Sequence, residues 1–285
     1  MLKHNYSFEA LGTQWSIESS VAMSVLLKAM IQDRIETFDS TYSRFRKDSL
    51  VNRIAHKAGE YTFPPDAQKL FDFYKDLYGR TDGKVTPLIG DALVRAGYDA
   101  QYSFEQHPQA EVPGWVEAME WSGTDLVTTQ PVTIDVGAAG KGYLVDMIGS
   151  LLDEHSINEY VIDASGDLKH KGSSKNIVGL EHPLDPTKVI GTINVQNKSL
   201  CASASNRRIW GEGMHHIFDP DTLAPTRDII ASWVIADDTM TADGLATALF
   251  FVGPEKLYEQ YEFQYVRMHA DGAIDYSSHF EGELF

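Results

Sequence analysis

Thr241-Ala242-Asp243-Gly244-Leu245-Ala246-Thr247-Ala248-Leu249-Phe250-Phe251 reads as an apolar helix that stops at Gly253-Pro254, and Asp243 is its only charge up to Val252. Its place in the chain decides the fold class. Short β-rich runs precede it at Tyr160–Asp163, Leu168–His170, Ile177–Leu180, Val189–Val195 and Ile229–Ala236, and Phe263–Met268 follows as a late strand. Helical periodicity begins earlier. Met23–Phe38 offers Val25, Ala29, Ile31, Ile35 and Phe38 to one broad face, and Pro64-Pro65-Asp66 opens a helix to about Tyr78. Phe8–Glu18 reads as a strand interrupted by Gly12, Asp125–Val136 as extended chain, Tyr143–Glu154 as a helix, and Ser103–Gly114 as a polar surface excursion. Helices cluster early and strands late, without regular βαβα alternation, so the expected class is α+β. No composition shift or linker marks a boundary, so residues 1–285 are expected to form one domain.

Asp243 and Thr247 are four residues apart. On a helix that spacing puts them about 5–6 Å apart on one face. A carboxylate and a hydroxyl are hard oxygen ligands of the kind Mg²⁺ or Ca²⁺ takes. The competing reading is local: Asp243 favours the helix N-terminus electrostatically, and Thr247 bonds back to a carbonyl. The segment alone leaves both open.

The bulk numbers exclude some partners. With 24 basic and 41 acidic residues the formal charge is -17. That argues against nucleic acid or an anionic membrane as a general partner, while leaving room for a local anion pocket. No stretch approaches the ~18 apolar residues of a membrane span. The N-terminal MLKHNYSFEALGTQW has neither the apolar core of a signal peptide nor a lipobox cysteine. A cytoplasmic location is therefore expected, with an exported form open if a leader has been trimmed. Cys201 is the only cysteine, so no intrachain disulfide forms, and its setting reads as a small buried side chain.

Four further constellations carry chemistry. In Ile134-Asp135-Val136-Gly137-Ala138-Ala139-Gly140-Lys141-Gly142-Tyr143 a strand ends in an acid, crosses a small-residue loop and enters a helix at a lysine. Small residues admit a ligand to the backbone, and a helix N-terminus offers N–H groups to an anion. The pattern is neither a P-loop nor a dinucleotide fingerprint, and a tight turn before a packed helix explains it equally well. In Met214-His215-His216-Ile217-Phe218-Asp219-Pro220 adjacent histidines on a strand face opposite ways, so one of them enters a given site. That histidine is either a general base or a satisfied structural residue. Zinc would need more thiol or imidazole ligands at a suitable spacing. Ser43-Arg44-Phe45-Arg46-Lys47-Asp48-Ser49-Leu50-Val51-Asn52-Arg53 reads as a basic loop with an aromatic for a planar ligand, or as a solvated turn. Ser203-Ala204-Ser205-Asn206-Arg207-Arg208 offers hydroxyls and two arginines to a phosphate, or a surface turn.

Taken in order, these pieces resemble one family, the ApbE-type FAD:protein FMN transferases. The resemblance runs from Leu11-Gly12-Thr13 through Ser43…Ser49…Asn52, Gly83…Thr86-Pro87, the Asp135–Asp146 loop and helix, and Asp163–Asp167. It continues through the Ser203 segment and His216–Pro220 to Ala242–Ala248, nearly the whole chain. It implies one domain with mixed or antiparallel sheets flanked by helices. It also implies a Mg²⁺-dependent enzyme that takes FAD as substrate, attaches FMN to a Thr or Ser hydroxyl of an acceptor flavoprotein, and releases AMP. By that resemblance Asp243, Thr247 and the Ala138 carbonyl match the metal ligands, and His216 matches the catalytic histidine. Leu11, Phe45, Lys84, Val85, Thr86, Asp135, Lys141 and Ile217 match FAD-contacting positions.

Three places depart from the family pattern. Gly83-Lys84-Val85-Thr86 lacks the usual acid, Ser165-Gly166-Asp167 replaces a Gly-Gly before the acid, and Ser203-Ala204 replaces Ser-Gly. With the absent lipoprotein leader they suggest a cytosolic branch with its own acceptor. Two rival functions remain at this level: an FAD pyrophosphatase giving FMN and AMP, and a flavin-binding protein without turnover.

Overall fold

The structure, a computed structural model, describes residues 2–211 and 213–285. The chain starts with a hairpin of β1 (His4–Ala10) and β2 (Thr13–Ser19), joined by Leu11 and Gly12 with φ of 50° and 71°. Two consecutive left-handed residues make the tight turn whose twist suits antiparallel strands. The expected single strand is thus two, because Gly12 and Leu11 reverse the chain rather than interrupt it.

Strands β3 (Tyr160–Asp163), β4 (Asp167–Lys171), β5 (Ser199–Ala204), β6 (Ile229–Ala236), β7 (Gln264–His269) and β8 (Ile274–Tyr276) complete an eight-stranded sheet. Spatial order follows chain order, and every pairing is antiparallel. The sheet is a meander into which other elements are inserted. Residues 20–159 bring α1 (Val25–Tyr42), α2 (Leu50–His56), α3 (Ala67–Arg80) and α4 (Gly140–Glu154), together with a small sheet of Glu60–Thr62, Asp125–Thr128 and Met119–Ser122. Between β6 and β7 lies α5 (Thr239–Ala248). Among the described residues no helix is long and apolar enough to cross a membrane.

β6 shows why the sheet is covered on both faces. Its alternate residues Ala231, Trp233 and Ile235 join a cluster with Leu180, Ile190 and Ile193 from a three-stranded sheet. Val234 and Ala236, one residue out of phase, join the main core with Leu245 and Ala246 of α5. Successive side chains on a strand point to opposite faces, so a continuous apolar run needs two partners.

Several boundaries differ from expectation for identifiable reasons. Val25 is 86% exposed. The buried face of α1 steps through Leu27, Ile31, Ile35, Phe38 and Tyr42. Val25 and Ala29 each sit two residues from a member of that face, about 200° around the helix. The extended run from Asp125 stops at Thr128, before Gln130-Pro131. α4 begins at Gly140 rather than Tyr143. α5 begins at Thr239 and ends at Ala248, and Gly253 opens a separate short helix at Pro254–Tyr258. From Leu50 onward the stretch read as a basic loop is the start of α2, capped by Ser49, whose side chain accepts from Asn52 N–H.

Candidate active site

Packing brings the start of α4, the inner face of α5, the β3–β4 turn and the C-terminal end of β5 around one cavity of about 1060 Å³. All twelve residues singled out from the sequence line it. Leu11, Phe45, Lys84, Val85, Thr86 and Asp135 come from the first half of the chain, and Ala138, Lys141, His216, Ile217, Asp243 and Thr247 from the rest.

The oxygen set is the most closely built part. Asp243 is 6% exposed and sits in the second turn of α5, so it is not the helix cap; Asp238 is, accepting from Thr241 N–H. This removes the local reading of Asp243. Thr247 Oγ1 lies 3.5 Å from the Ala138 carbonyl and 3.5 Å from Ser203 Oγ, and it makes no back-bond to its own helix. Ala138 is held from its other side, where its N–H donates to Tyr74 Oη at 3.1 Å. The buried Tyr74 therefore holds the Gly137–Ala138 peptide, adjacent to the one whose carbonyl faces Thr247. Asp243 in turn accepts from Gly142 N–H at 3.0 Å across the α4–α5 contact.

Asp243 shares its surroundings with Asp167, which is 1% exposed, and with Lys141, whose ammonium is 3.2 Å from Asp167 Oδ2. Burial pushes both carboxyls above the usual range, and Asp167 pushes Asp243 further, against the pull of Lys141. A hydroxyl, a carbonyl and a buried carboxylate strained by a second one fit a hard divalent cation, which would relieve that repulsion. Among the described residues no group of three or more His, Cys, Asp or Glu side chains could hold a metal, so a cation here draws on the hydroxyl and carbonyl.

Asp135 faces the other wall. Burial works against its charge, but the Arg44 guanidinium and Gly137 N–H outweigh it and hold the carboxyl below its ordinary range. Lys84 pairs with Asp219 at 2.6 Å and with Asp221 at 2.8 Å, tying its loop to the end of the His216 segment. Thr86 is spent locally, accepting from Leu88 N–H.

The two histidines take separate environments, although the short strand Met214–His215 ends before His216, which lies in a bend. His215 is buried away from the cavity, its ring bonded to the Thr226 carbonyl and to Ile217 N–H. His216 lines the cavity, and its Nδ1 is buried without a partner. Burial, with Arg208 and His215 nearby, pushes its pKa down to about 3, so the ring is neutral at pH 7.

Four residues outside the candidate site set also shape the cavity and its supports. Arg44 is buried, bonds Asp135 and the Tyr98 carbonyl, and lies 4.2 Å from the Phe45 ring centroid. Tyr98 stacks on Trp210 at 5.3 Å. Asp146 receives Thr239 N–H, Met240 N–H and Lys169, thereby holding the N-terminus of α5. Asp167 is the partner of Lys141. The Ser-Arg-Phe-Arg run pointed to Arg44; nothing local marked Asp146 as a cap for a helix 93 residues away.

The sequence profile of the ApbE family matches residues 11–269. A protein of Vibrio cholerae serotype O1 named FAD:protein FMN transferase is 26% identical over 269 residues, covering 86% of this chain and 80% of its own. One of the same name from Haemophilus influenzae is 27% identical over 264 residues, covering 82% and 73%. Among solved structures, the flavin transferase ApbE from Vibrio cholerae superposes with a TM-score of 0.82 at 22% identity, covering 96% of this chain and 97% of the other. The ApbE protein from Thermotoga maritima gives 0.85 at 22%, covering 98% and 99%. These likenesses share the mixed helix and antiparallel-sheet fold described above.

Proposed function

This chain belongs to the ApbE family and is a flavin transferase, and we propose that it moves FMN from FAD to a Thr or Ser hydroxyl of a target flavoprotein, with Mg²⁺, releasing AMP. The observation that carries the finer reading is the convergence of Asp243, Thr247 and the Ala138 carbonyl in the cavity that also holds Lys141 and His216. Transfer of this kind needs positioning and neutralisation of charge more than covalent help from the protein.

Asp243, Thr247 and the Ala138 carbonyl would hold the metal. Mg²⁺ bound there supplies a Lewis acid for the pyrophosphate oxygens. Lys141, in the first turn of α4, adds the positive charge of its ammonium to the cavity wall. Phe45, Leu11 and Ile217 give the planar rings apolar surface. His216, neutral in the ligand-free cavity, can accept the proton of the attacking hydroxyl, and an anionic pyrophosphate beside it raises its basicity toward that task. A cytoplasmic site of action is part of the proposal, and the single cysteine, free and buried, suits a reducing compartment.

The test is AMP release from FAD. With Mg²⁺ and an acceptor the wild type yields AMP, chelation stops it, and Asp243→Ala lowers the rate at least about a hundredfold, as loss of a charge-stabilising group does. AMP production unchanged by Asp243→Ala would overturn the metal assignment. Free FMN in place of a protein adduct would reassign the chemistry to a pyrophosphatase.

A further inference from the structure

Six cationic side chains line the cavity: Arg44, Arg46, Lys84, Lys141, Arg207 and Arg208. Five of them are committed to carboxylates. Arg44 is paired with Asp135, Arg46 with Asp48 at 2.8 Å, Lys84 with Asp219 at 2.6 Å, Lys141 with Asp167 at 3.2 Å and Arg207 with Glu181 at 3.0 Å. Arg208 alone has no hydrogen bond or ion pair among the described residues. In a chain with 41 acidic residues against 24 basic ones, an arginine left unpaired at a cavity wall is held for an anion from outside.

Its place is built. Arg208 lies on the turn between β5 and the short strand Ile209–Trp210. The buried Trp210 anchors that turn, donating from Nε1 to the Ala96 carbonyl at 2.7 Å and stacking on Tyr98. The Arg208 guanidinium lies 5.8 Å from the Tyr98 ring, within cation–π range. Its charge is felt at His216, Asp135 and Asp243, groups that surround the cavity.

We infer that Arg208 is the pyrophosphate-binding arginine of the reaction, donating its N–H groups to the phosphate oxygens of FAD as charge builds on the departing AMP. The inference rests on the transfer reading for the step it assists. In that step the acceptor hydroxyl oxygen bonds to the flavin-side phosphorus, and the bond from that phosphorus to the bridging oxygen breaks. The electron pair leaves on AMP, and the hydroxyl proton passes to His216. Arg208 keeps its own protons throughout and contributes a planar fork matched to phosphate.

Binding alone tests it. FAD and ADP are titrated into wild type, Arg208→Lys and Arg208→Ala at several salt concentrations. Arg208→Ala is expected to weaken both ligands about tenfold to a hundredfold and to flatten the salt dependence, with Arg208→Lys between. The melting temperature of the ligand-free variant falls by no more than about 2 °C, since among the described residues the side chain loses the Tyr98 ring contact and no hydrogen bond or ion pair. ADP affinity within twofold of wild type overturns the inference, and so does a loss of affinity accompanied by a fall of more than about 5 °C in ligand-free melting temperature. A wild type that binds FAD through Arg208 yet never releases AMP would remove the transfer reading and leave this contact standing.

Discussion

Replacing Gly142 by alanine tests how the metal-side wall is held. Gly142 lies in the first turns of α4, where that helix packs on α5. A Cβ there would run into the Thr239 carbonyl, lying 2.7 Å from its carbon and 2.8 Å from Asp243 Cβ. Both are backbone or side-chain root, so no flexible tip can move aside and the helices must part. Overpacking of this kind costs about 1–3 kcal/mol. Parting the helices also stretches the Gly142 N–H bond to Asp243, which contributes about 1 kcal/mol or more. Alanine's better helix propensity returns about 1 kcal/mol. The net expectation is a loss of about 2 kcal/mol, or about 3 °C in melting temperature for a chain of this size. Gly79→Ala is the control: nothing lies within 4 Å of its added Cβ, and α3 should gain about 0.5–1 kcal/mol. Urea unfolding followed by tryptophan fluorescence reads both. A Gly142→Ala protein as stable as wild type would refute the close packing of α4 on α5 and the positioning of Asp243 argued from it.

Other consequences follow from named groups. Asp146→Asn puts an amide nitrogen where a carboxylate meets two N–H donors and Lys169; it should lose about 2–4 kcal/mol in urea unfolding, and a loss under 0.5 kcal/mol would contradict the cap. His216 is held near 3 in the fold against its ordinary 6.5. The unfolded chain therefore takes up a proton that the native one refuses, and this residue's contribution is intact above about pH 6.5 and erodes as pH falls toward 3, by up to about 1.4 kcal/mol per pH unit. His216→Gln should flatten that slope, and an unchanged slope would show that the ring is solvated. Cys201 is fully buried, and burial together with Asp167 and Asp243 pushes its thiol well up, so iodoacetamide should label it only after denaturation.

The sequence made some features legible because one local pattern was enough. The Asp243/Thr247 spacing needs only a helix, and the helix was plain from its apolar run. That one histidine of the pair would enter the site was also legible, although strand alternation is not the reason, since the strand ends at His215 and His216 lies in a bend. What stayed hidden depends on long-range pairing. The Ala138 carbonyl came from family resemblance, and its tether to Tyr74 lies 64 residues away. Asp146 looked like one more acid on a helix, yet it caps α5 from across the core. Leu11 and Gly12 were misread as a break in one strand because a left-handed leucine is uncommon and has no signature. Val25 was assigned to the wrong face because the broad apolar set on α1 admits two registers, and only packing against α4 selects one.

Intact-protein mass spectrometry of candidate acceptors, incubated with this protein, FAD and Mg²⁺, tests the central claim most directly. The account predicts a mass gain equal to one FMN less one water on a Thr or Ser, AMP in matching amount, and neither with Asp243→Ala. Unmodified acceptor beside intact FAD after prolonged incubation would contradict it.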